Sequence, residues 1–310
     1  MASYRFKHKH LIDVNSLSKE DIEYILDISE KYVVKNRSGD KYTDILRGKE
    51  LINLFFENST RTRTSFELAG KRLGAQVINM DIATSSISKG ETLLDTALTL
   101  NAMHPDFIVI RHKDDDAARL MVEKVSCSII NAGTGSSSHP TQALLDALTI
   151  RRKLGSFEGK TLTISGDVKH SRVARSNIDL LSKMGMKIKV AAPKSLLPED
   201  INSKIEVFDS LEDAISGSDI IMLLRLQKER MEKVYVKDEK EYFERYGLNK
   251  KKLEKANTKA YIMHPGPMNR GVEIESDIAD DRSKSLVLEQ VEIGVAVRQG
   301  ILEALASVDK

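Results

Sequence analysis

Short apolar runs alternate with segments of helical periodicity from Gly48 onward. In the first half of the chain, the runs predicted as strands cover 51–56, 75–81, 106–112 and 128–133. The segments predicted as helices cover 65–74, 91–103, 115–125 and 139–154. Strands that are apolar throughout are typical of parallel sheets covered on both faces, so this alternation predicts a mainly parallel sheet flanked by helices.

A polar, glycine-containing stretch at 155–160 interrupts the alternation, which then restarts. Further strands are predicted at 161–166, 187–193, 219–224 and 260–266, and further helices at 172–185 and 211–216. With 310 residues, the chain is long enough for two domains of ordinary size. We therefore predict an α/β fold with two domains, 1–145 and 146–285, each with a mainly parallel sheet flanked by helices.

Three predicted helices lie outside this alternation. Ser18 to Asp21 indicates a helix start with a capping box in which Asp replaces the usual Glu. A charged segment at 237–259 is predicted to be helical and to lie on the surface. The last helix, about 286–310, is expected to pack back on the first domain. Its apolar stripe consists of Val287, Val291, Ile293, Val297, Ile301 and Leu305.

Composition and charge exclude several classes of protein. Lys plus Arg is 48 and Asp plus Glu is 46, a net charge of +2, which is too balanced for a nucleic-acid binder that works through a bulk basic field. No apolar run approaches the ~20 residues that span a bilayer, and the N-terminus lacks the apolar core of a signal peptide. Cys127 is the only cysteine and is expected to be a small buried hydrophobe. A cytoplasmic location is therefore expected.

Polar side chains gather directly after the predicted strands, where parallel α/β sheets bind their ligands. Six strand ends carry Arg, His, Ser, Thr or Gln, and Asp167 is the exception among them. These residues are Ser59–Arg63, Arg111, His112, Ser136–His139, Gln142, Lys169, His170, Arg172, Arg225, Gln227 and His264–Pro267. The set favours an anionic ligand. No Cys or carboxylate cluster has metal-ligand spacing, so neither a metal nor a cofactor is expected.

The segment Ser59-Thr60-Arg61-Thr62 stands where a helix begins. The first N–H groups of a helix lack intrahelical partners and form an anion site together with the macrodipole. A simple N-cap would be the commoner use of Ser59 or Thr60 alone, but three hydroxyls around an arginine favour a phosphate. The P-loop consensus is absent, and the single glycine of SGDVKHSR at 165–172 makes an NAD-binding domain the weaker alternative.

Seven separated motifs resemble the transcarbamoylase family, and the resemblance extends from Phe6 to Leu305. They are FFENSTRTRTSFE (55–67), SKGETLLDT (88–96), IRHKDDDAARL (110–120), NAGTGSSSHPTQALLD (131–146), GDVKHSRVARSN (166–177), LRLQKER (224–230) and HPGPMNRGVEI (264–274). Each motif alone is weak to moderate evidence. Their occurrence together and in this order is highly specific.

This resemblance implies one domain for carbamoyl phosphate and one for L-aspartate. The implied reaction transfers the carbamoyl group to the aspartate amine, giving N-carbamoyl-L-aspartate and phosphate, a step of de novo pyrimidine synthesis. Direct attack through a tetrahedral intermediate, without a covalent enzyme intermediate, is expected. The family also implies a homotrimer whose active sites are shared between chains. Whether a regulatory chain or a dihydroorotase binds the trimer is left open.

The resemblance assigns roles residue by residue. The positions that match carbamoyl phosphate ligands are Ser59, Thr60, Arg61, Thr62, Ser85, Lys89, Arg111, His139, Gln142, Pro265 and Gly266. The positions that match aspartate ligands are Lys89, Arg172, Arg225 and Gln227. Those expected to act in catalysis are Arg61, Thr62, Lys89, Arg111 and His139. Ser85 and Lys89 match a mobile loop that enters the neighbouring chain's site, and Arg63 is expected to be structural.

Alternatives remain within this interpretation. Ornithine transcarbamoylases carry HCLP where this chain has HPGP at 264–267, and ornithine's extra amine would call for an acidic group. Whether His139 acts as a general base or only as a hydrogen-bond donor is open. A catalytically silent relative that serves as a binding or assembly subunit is the second hypothesis, although the complete set of site residues argues against it.

Overall fold

Each of two units of the chain is built on its own parallel sheet. The structure, a computed structural model, describes residues 4–201, 205–227 and 238–308. The first unit, called unit 1, consists of the chain up to Leu148 and from Val291 onward, and unit 2 consists of Thr149–Gln290.

Unit 1 contains a four-stranded sheet in the order β2-β1-β3-β4, with all neighbouring strands parallel. The elements in chain order are α1 (Lys19–Arg37), β1 (Glu50–Phe55), α2 (Thr60–Arg72), β2 (Gln76–Asn79), α3 (Leu93–Asn101), β3 (Phe107–His112), α4 (Ala117–Val122), β4 (Ser128–Thr134) and α5 (Pro140–Leu154). Short 3-10 turns at Ile82–Thr84 and Ser86–Lys89 join β2 to α3.

Unit 2 contains a five-stranded sheet in the order β7-β6-β5-β8-β9, again entirely parallel. Its elements are β5 (Thr161–Ser165), α6 (Arg172–Lys183), β6 (Lys187–Ala191), a 3-10 turn (Lys194–Leu196), β7 (Glu206–Phe208), α7 (Leu211–Ala214), β8 (Ile220–Leu223), α8 (Glu239–Tyr246), α9 (Lys250–Leu253), β9 (Tyr261–Met263) and α10 (Ser276–Asp280). The last helix is α11 (Val287–Ala306).

The predicted fold class is confirmed, because both sheets are parallel and helices follow most strands. Strands β1, β3, β4, β5 and β8 are almost wholly buried, as their continuous apolar runs require, although β4 lies at the edge of its sheet. The edge strand β2 differs, since none of its residues is buried. Cover on both faces therefore does not extend to this edge strand.

The predicted start of the first helix is confirmed in detail. Ser18 Oγ accepts a hydrogen bond from the Asp21 N–H at 3.1 Å, and Asp21 Oδ2 accepts one from the Ser18 N–H at 2.8 Å. The shorter Asp side chain therefore completes the capping box in place of Glu.

The charged segment at 237–259 does not lie wholly on the surface as predicted; position 237 itself is outside the described residues. Two short helices, α8 and α9, replace one continuous helix, and Tyr242, Tyr246 and Leu248 are buried. Lys252 is buried as well, because its Nζ donates to three carbonyl oxygens that end α8. These belong to Phe243, Glu244 and Gly247, at 3.2, 2.6 and 2.7 Å.

The residues of the predicted apolar stripe of α11 are buried except Val291, which is 45% exposed. Each helical residue turns by about 100°, so Val291 lies nearly opposite Ile293. The short β7 and α10 were not predicted, because three to five residues are too few to show a periodicity. None of the helices in the described part of the chain has the combination of length and apolar character that crossing a membrane demands.

Candidate functional site

The strand order of unit 1 reverses between β1 and β3, which is where a doubly wound sheet opens a crevice for ligands. Phe55 pairs with Arg111 in the register, and the Phe56 N–H donates to the Arg111 carbonyl oxygen at 2.9 Å. The segment Ser59–Thr62 follows β1 directly. The phosphate motif and Arg111 thus leave the same sheet edge from neighbouring strands.

The start of α2 has the form expected of an anion site. Ser59 occupies the N-cap position in an extended conformation, but its side chain makes no capping hydrogen bond. The first turn contains no acidic residue. Thr60 and Arg61 are exposed, whereas Thr62 is buried. A simple N-cap is therefore not what the structure shows, and the N-terminal N–H groups keep their capacity to bind an anion.

Arg111 is held at the end of β3 by groups on both sides. Its Nη1 donates to the Ala132 carbonyl oxygen on β4 at 3.2 Å. Its Nε lies 3.4 Å from Glu57 Oε2, an acid that follows β1. The sequence analysis missed Glu57, and its place directly after a strand was the available signal. This pairing restricts the guanidinium to the switch-point edge.

His139 and Gln142 stand where β4 passes into α5. His139 is buried and precedes Pro140, the first residue of the helix, and its carbonyl oxygen accepts the N–H of Gln142 at 3.0 Å. The Gln142 side-chain Nε2 donates to Asp146 Oδ1 one helical turn further on, also at 3.0 Å. Both predicted residues therefore lie at the N-terminus of α5, after the strand adjacent to β3.

Asp115 organises the loop that leads to His139. Its Oδ1 accepts the N–H groups of Ser136 and Ser137, each at 3.0 Å. Gly135 has a φ of 46°, and a Cβ at this position would lie 1.9 Å from the same carboxylate oxygen. Asp115 thus ties the loop after β3 to the loop after β4. The sequence analysis overlooked it, although it belongs to the acidic run 114–116 behind the strand.

Ser85 and Lys89 lie in the loop between β2 and α3. Ser85 Oγ donates to the Ile82 carbonyl oxygen at 2.9 Å, and Lys89 is exposed at the end of a 3-10 turn. The structure places neither residue on β1, β3 or β4, whose ends carry the other unit 1 candidates. Their expected role in a neighbouring chain's site stays a prediction.

In unit 2, the strand order reverses between β5 and β8. Ser165 pairs with Leu223, and the Leu224 N–H donates to the Ser165 carbonyl oxygen at 2.9 Å, so the two strands end at the same level. Arg172 is buried as the first residue of α6, and Arg225 is half-buried directly after β8. Arg172 and Arg225, two of the predicted aspartate ligands, therefore lie at the switch point of the second sheet.

Asp167, the one acid noted among the strand ends, links these two loops. Its Oδ1 accepts from the backbone N–H of His170 at 3.2 Å and lies 2.9 Å from His170 Nδ1. Its Oδ2 accepts the Gln227 N–H at 3.3 Å, and Gln227 Nε2 donates to the His170 carbonyl oxygen at 3.0 Å. The carboxylate is fully buried, and these contacts fix the loops after β5 and β8 relative to each other.

The turn after β9, which contains Pro265 and Gly266, is fixed by His264 and Glu273. The Gly266 N–H donates to His264 Nδ1 at 2.9 Å, which leaves Nε2 to donate to Glu273 Oε1 at 3.3 Å. Both side chains are almost completely buried. These contacts show His264 holding the turn, and Glu273 is a further residue that was not predicted from the sequence.

Tyr242, a residue of α8, is also buried in unit 2, near Glu273 and Asp167. Burial raises the pKa of its hydroxyl, and the nearby carboxylates of Glu273 and Asp167 raise it further. The phenol therefore stays neutral at physiological pH. Across the described ranges, no group of three or more His, Cys, Asp or Glu is arranged to hold a metal ion.

Comparison with known proteins matches both units to one family. Residues 9–152 match the model described as aspartate/ornithine carbamoyltransferase, carbamoyl-P binding domain. Residues 158–305 match the model described as aspartate/ornithine carbamoyltransferase, Asp/Orn binding domain. The chain belongs to the aspartate/ornithine carbamoyltransferase family. The resemblance seen in the sequence motifs is thereby confirmed.

Curated members of the carbamoyltransferase family are similar to this chain over almost its whole length. The aspartate carbamoyltransferase catalytic subunit of Parvibaculum lavamentivorans is 57% identical over 97% of this chain and 92% of its own length. The catalytic subunit from Granulibacter bethesdensis is 56% identical over 97% of this chain and 96% of its own length.

Solved carbamoyltransferase structures share the fold. Aspartate transcarbamoylase from Trypanosoma cruzi in complex with carbamoyl phosphate has a TM-score of 0.87 at 31% identity, covering 96% of this chain and 97% of that chain. The complex of the same enzyme with carbamoyl phosphate and aspartate has a TM-score of 0.86 at 31% identity, covering 98% of this chain and 96% of that chain.

The Asp115 contacts generate a prediction for this carbamoyltransferase. Asp115→Ala should lower the free energy of unfolding by about 1 kcal/mol, because two backbone N–H groups lose a charged but solvent-exposed acceptor. Asp116→Ala is the matched control, since Asp116 is exposed and makes no capping hydrogen bond. Asp116→Ala should change the free energy of unfolding, measured with urea, by no more than about 0.5 kcal/mol. Equal losses in the two variants would contradict the assignment.

Proposed function

We propose that this chain transfers the carbamoyl group of carbamoyl phosphate to the amine of L-aspartate, giving N-carbamoyl-L-aspartate and phosphate. One observation carries the proposal. The switch point of each sheet bears groups suited to an anion, with Ser59–Thr62 and Arg111 in unit 1 and Arg172 and Arg225 in unit 2. Two sites for anions are what a reaction between a phosphate compound and a dicarboxylate requires.

In this proposal, unit 1 binds carbamoyl phosphate. The N-terminal N–H groups of α2, the hydroxyls of Ser59, Thr60 and Thr62 and the guanidinium of Arg61 bind the phosphate. Arg111 and His139, with Thr62, donate to the carbonyl oxygen, and Gln142 contacts the carbamoyl group. The uncapped start of α2 and the restraint of Arg111 by Glu57 and Ala132 support these roles.

Unit 2 binds aspartate in the same proposal. Arg172 and Arg225 take the carboxylates, because guanidinium and carboxylate match in a bidentate geometry. Gln227 orients the substrate, supported by its two hydrogen bonds to the Asp167 loop. The carbonyl oxygens of Pro265 and Gly266 face the amine, and the buried contact of His264 with Gly266 supports a fixed turn there.

The chemistry needs no covalent enzyme intermediate. The neutral amine attacks the carbamoyl carbon, a C–N bond forms, and the carbonyl electrons move onto oxygen. Arg111, His139 and Thr62 stabilise this oxyanion by hydrogen bonds. The C–O bond to phosphate then breaks, and the departing phosphate accepts the amine proton. His139 serves as a hydrogen-bond donor, which suits a residue at the start of a helix.

Orientation of the two anionic reactants supplies much of the rate enhancement. Carbamoyl phosphate and aspartate repel one another in solution, and arginines at fixed positions offset this repulsion. Holding reactants in attack geometry can contribute ~7–11 kcal/mol to lowering a barrier. Side chains that are already restrained, such as Arg111 and Gln227, lose little freedom on binding.

Aspartate is favoured over ornithine as the acceptor. The candidate ligands after β5 and β8 are Arg172, Arg225 and Gln227, which suit a second carboxylate rather than a second amine. Two nearby acids already have partners inside unit 2, since Asp167 contacts His170 and Gln227, and Glu273 Oε1 contacts His264. The Trypanosoma cruzi relative has been solved with carbamoyl phosphate and aspartate, which supports the same pair of substrates here.

The active enzyme is proposed to be a homotrimer. Ser85 and Lys89 then belong to the site of a neighbouring chain, where Lys89 contacts the phosphate and an aspartate carboxylate. The exposure of Lys89 at the end of its 3-10 turn agrees with this arrangement.

Arg61→Ala tests the phosphate assignment, with Arg63→Ala as the matched control on the same exposed helix turn. Arg61→Ala should lower kcat by about 100-fold or more, because a charged donor to the leaving phosphate is lost. Arg63→Ala should remain within about twofold of wild type. A colorimetric assay for carbamoyl-aspartate measures both. Near-normal kcat in Arg61→Ala would show that the phosphate is bound elsewhere.

Mixed trimers test the sharing of sites. Chains carrying Arg61→Ala and chains carrying Lys89→Ala should each be almost inactive alone. After joint refolding at equal concentrations, random assortment should give about a quarter of the wild-type activity, because that fraction of sites receives both intact residues. Differently tagged chains verify the mixing. Absence of any recovery in verified mixed trimers would rule out shared sites.

A further inference from the structure

Arg298 of α11 is a buried cation that belongs to none of the groups discussed so far. Only 3% of the residue is exposed. Its Nη1 donates to the Gly294 carbonyl oxygen at 2.8 Å, and its Nη2 donates to Thr141 Oγ1 at 3.3 Å. The guanidinium carbon lies 5.1 Å from the centre of the Phe66 ring. A single side chain therefore contacts α11, α5 and α2 of unit 1.

The two partner helices are those whose N-termini carry the proposed carbamoyl phosphate ligands. Thr141 lies between His139 and Gln142 at the start of α5. Phe66 follows Thr62 by four residues on α2, so both side chains lie on the same helix face, and both are buried. Fixing Phe66 and Thr141 against one guanidinium therefore fixes the spacing of the two helix starts.

Asp146 connects this cation to Gln142. The carboxylate is completely buried and accepts the Gln142 Nε2–H at 3.0 Å. Burial lowers the pKa of Arg298 to about 9, while the negative charge of Asp146 acts in the opposite direction. The guanidinium therefore keeps its charge at neutral pH, and the carboxylate that orients Gln142 has a cation nearby.

Gly294 shows that the surroundings are fitted to this guanidinium. A Cβ at Gly294 would lie 2.8 Å from Arg298 Nη1 and 3.3 Å from the Leu145 side chain. A side chain at position 294 would force the guanidinium to shift from this position. A buried cation also costs more than an apolar side chain of the same size would, so packing alone does not explain its presence.

We propose that Arg298 is a positioning residue for carbamoyl phosphate binding, which holds the starts of α2 and α5 at the spacing that lets Thr62, His139 and Gln142 act on one substrate. This inference rests on the proposed function of unit 1. Arg298 touches no reacting atom in this account. It acts through Phe66, Thr141 and the Asp146–Gln142 pair.

The test separates positioning from stability. Arg298→Met removes the buried cation near the Asp146 carboxylate, so it should lower the free energy of unfolding. Asp146→Asn combined with Arg298→Met removes both charges but retains an oxygen acceptor for Gln142, and should recover part of that stability. In both proteins, the KM for carbamoyl phosphate and the Kd for inorganic phosphate should rise about 10- to 100-fold. The reason is that protein groups displaced from their positions bind the phosphate weakly. Arg298→Lys should lie between these and wild type.

Lys252→Met serves as the control, because it removes another buried cation, in unit 2, and should lower stability without altering phosphate Kd. The aspartate KM of the Arg298 variants, measured at saturating carbamoyl phosphate, should stay within about threefold of wild type. Urea unfolding, calorimetry with inorganic phosphate and steady-state kinetics provide the three readouts.

Normal phosphate Kd in Arg298→Met, or recovery of phosphate Kd together with stability in the double variant, would overturn the proposal. An equal rise of phosphate Kd in Lys252→Met would overturn it too. If Arg298→Met does not fold, phosphate Kd and stability are compared in Arg298→Lys and the double variant instead. A wild-type chain that binds phosphate but forms no carbamoyl-aspartate would refute the proposed function, while the phosphate measurements would still test Arg298.

Discussion

Parallel pairing of β1 with β3, and of β5 with β8, is the constraint on which the rest of this structure depends. The backbone hydrogen bonds of these pairs place the ends of neighbouring strands at one level. Because the strand order reverses there, the loops that follow diverge and leave the strand ends accessible. Residues far apart in sequence, such as Thr62 and Arg111, or Arg172 and Arg225, reach the same sheet edge for this reason. The roles proposed for these four residues require this arrangement.

Several of the groups proposed to bind the substrates are in turn held in place by buried or half-buried acids. Glu57 restrains Arg111, Asp167 joins the two loops of unit 2, and Asp146 orients Gln142. The contacts of these acids fix the direction of the groups that they hold. Preorganised donors of this kind need no rearrangement when charge develops in a transition state.

The sequence predicts the fold class well, because burial on both faces demands long apolar runs, and such runs are visible without a structure. It also points to the strand ends, since Ser59–Thr62 and Arg225 directly follow recognisable strands. The supporting residues are harder to predict. Asp115 and Glu273 are ordinary surface-type residues in sequence, and only their contacts across loops give them a function.

Long-range burial causes the other differences. Lys252 belongs to a highly charged segment, yet three carbonyl oxygens at the end of α8 make its burial favourable. Val291 fits an apolar stripe by spacing, but helix geometry turns it away from the side that is covered. In both cases, whether the residue is buried depends on what packs against its segment. Local periodicity does not encode that packing. The roles of individual ligand-binding residues likewise follow from family resemblance and geometry together.

The central claim is that one anionic donor and one anionic acceptor react directly on this chain. Its most direct test supplies the purified wild-type protein with carbamoyl phosphate and either L-aspartate or L-ornithine, and quantifies every product. The account predicts carbamoyl-aspartate and phosphate in equal amounts with aspartate, and no carbamoylated product with ornithine. Carbamoylation of ornithine at a comparable rate, or phosphate release without carbamoyl-aspartate, would contradict it.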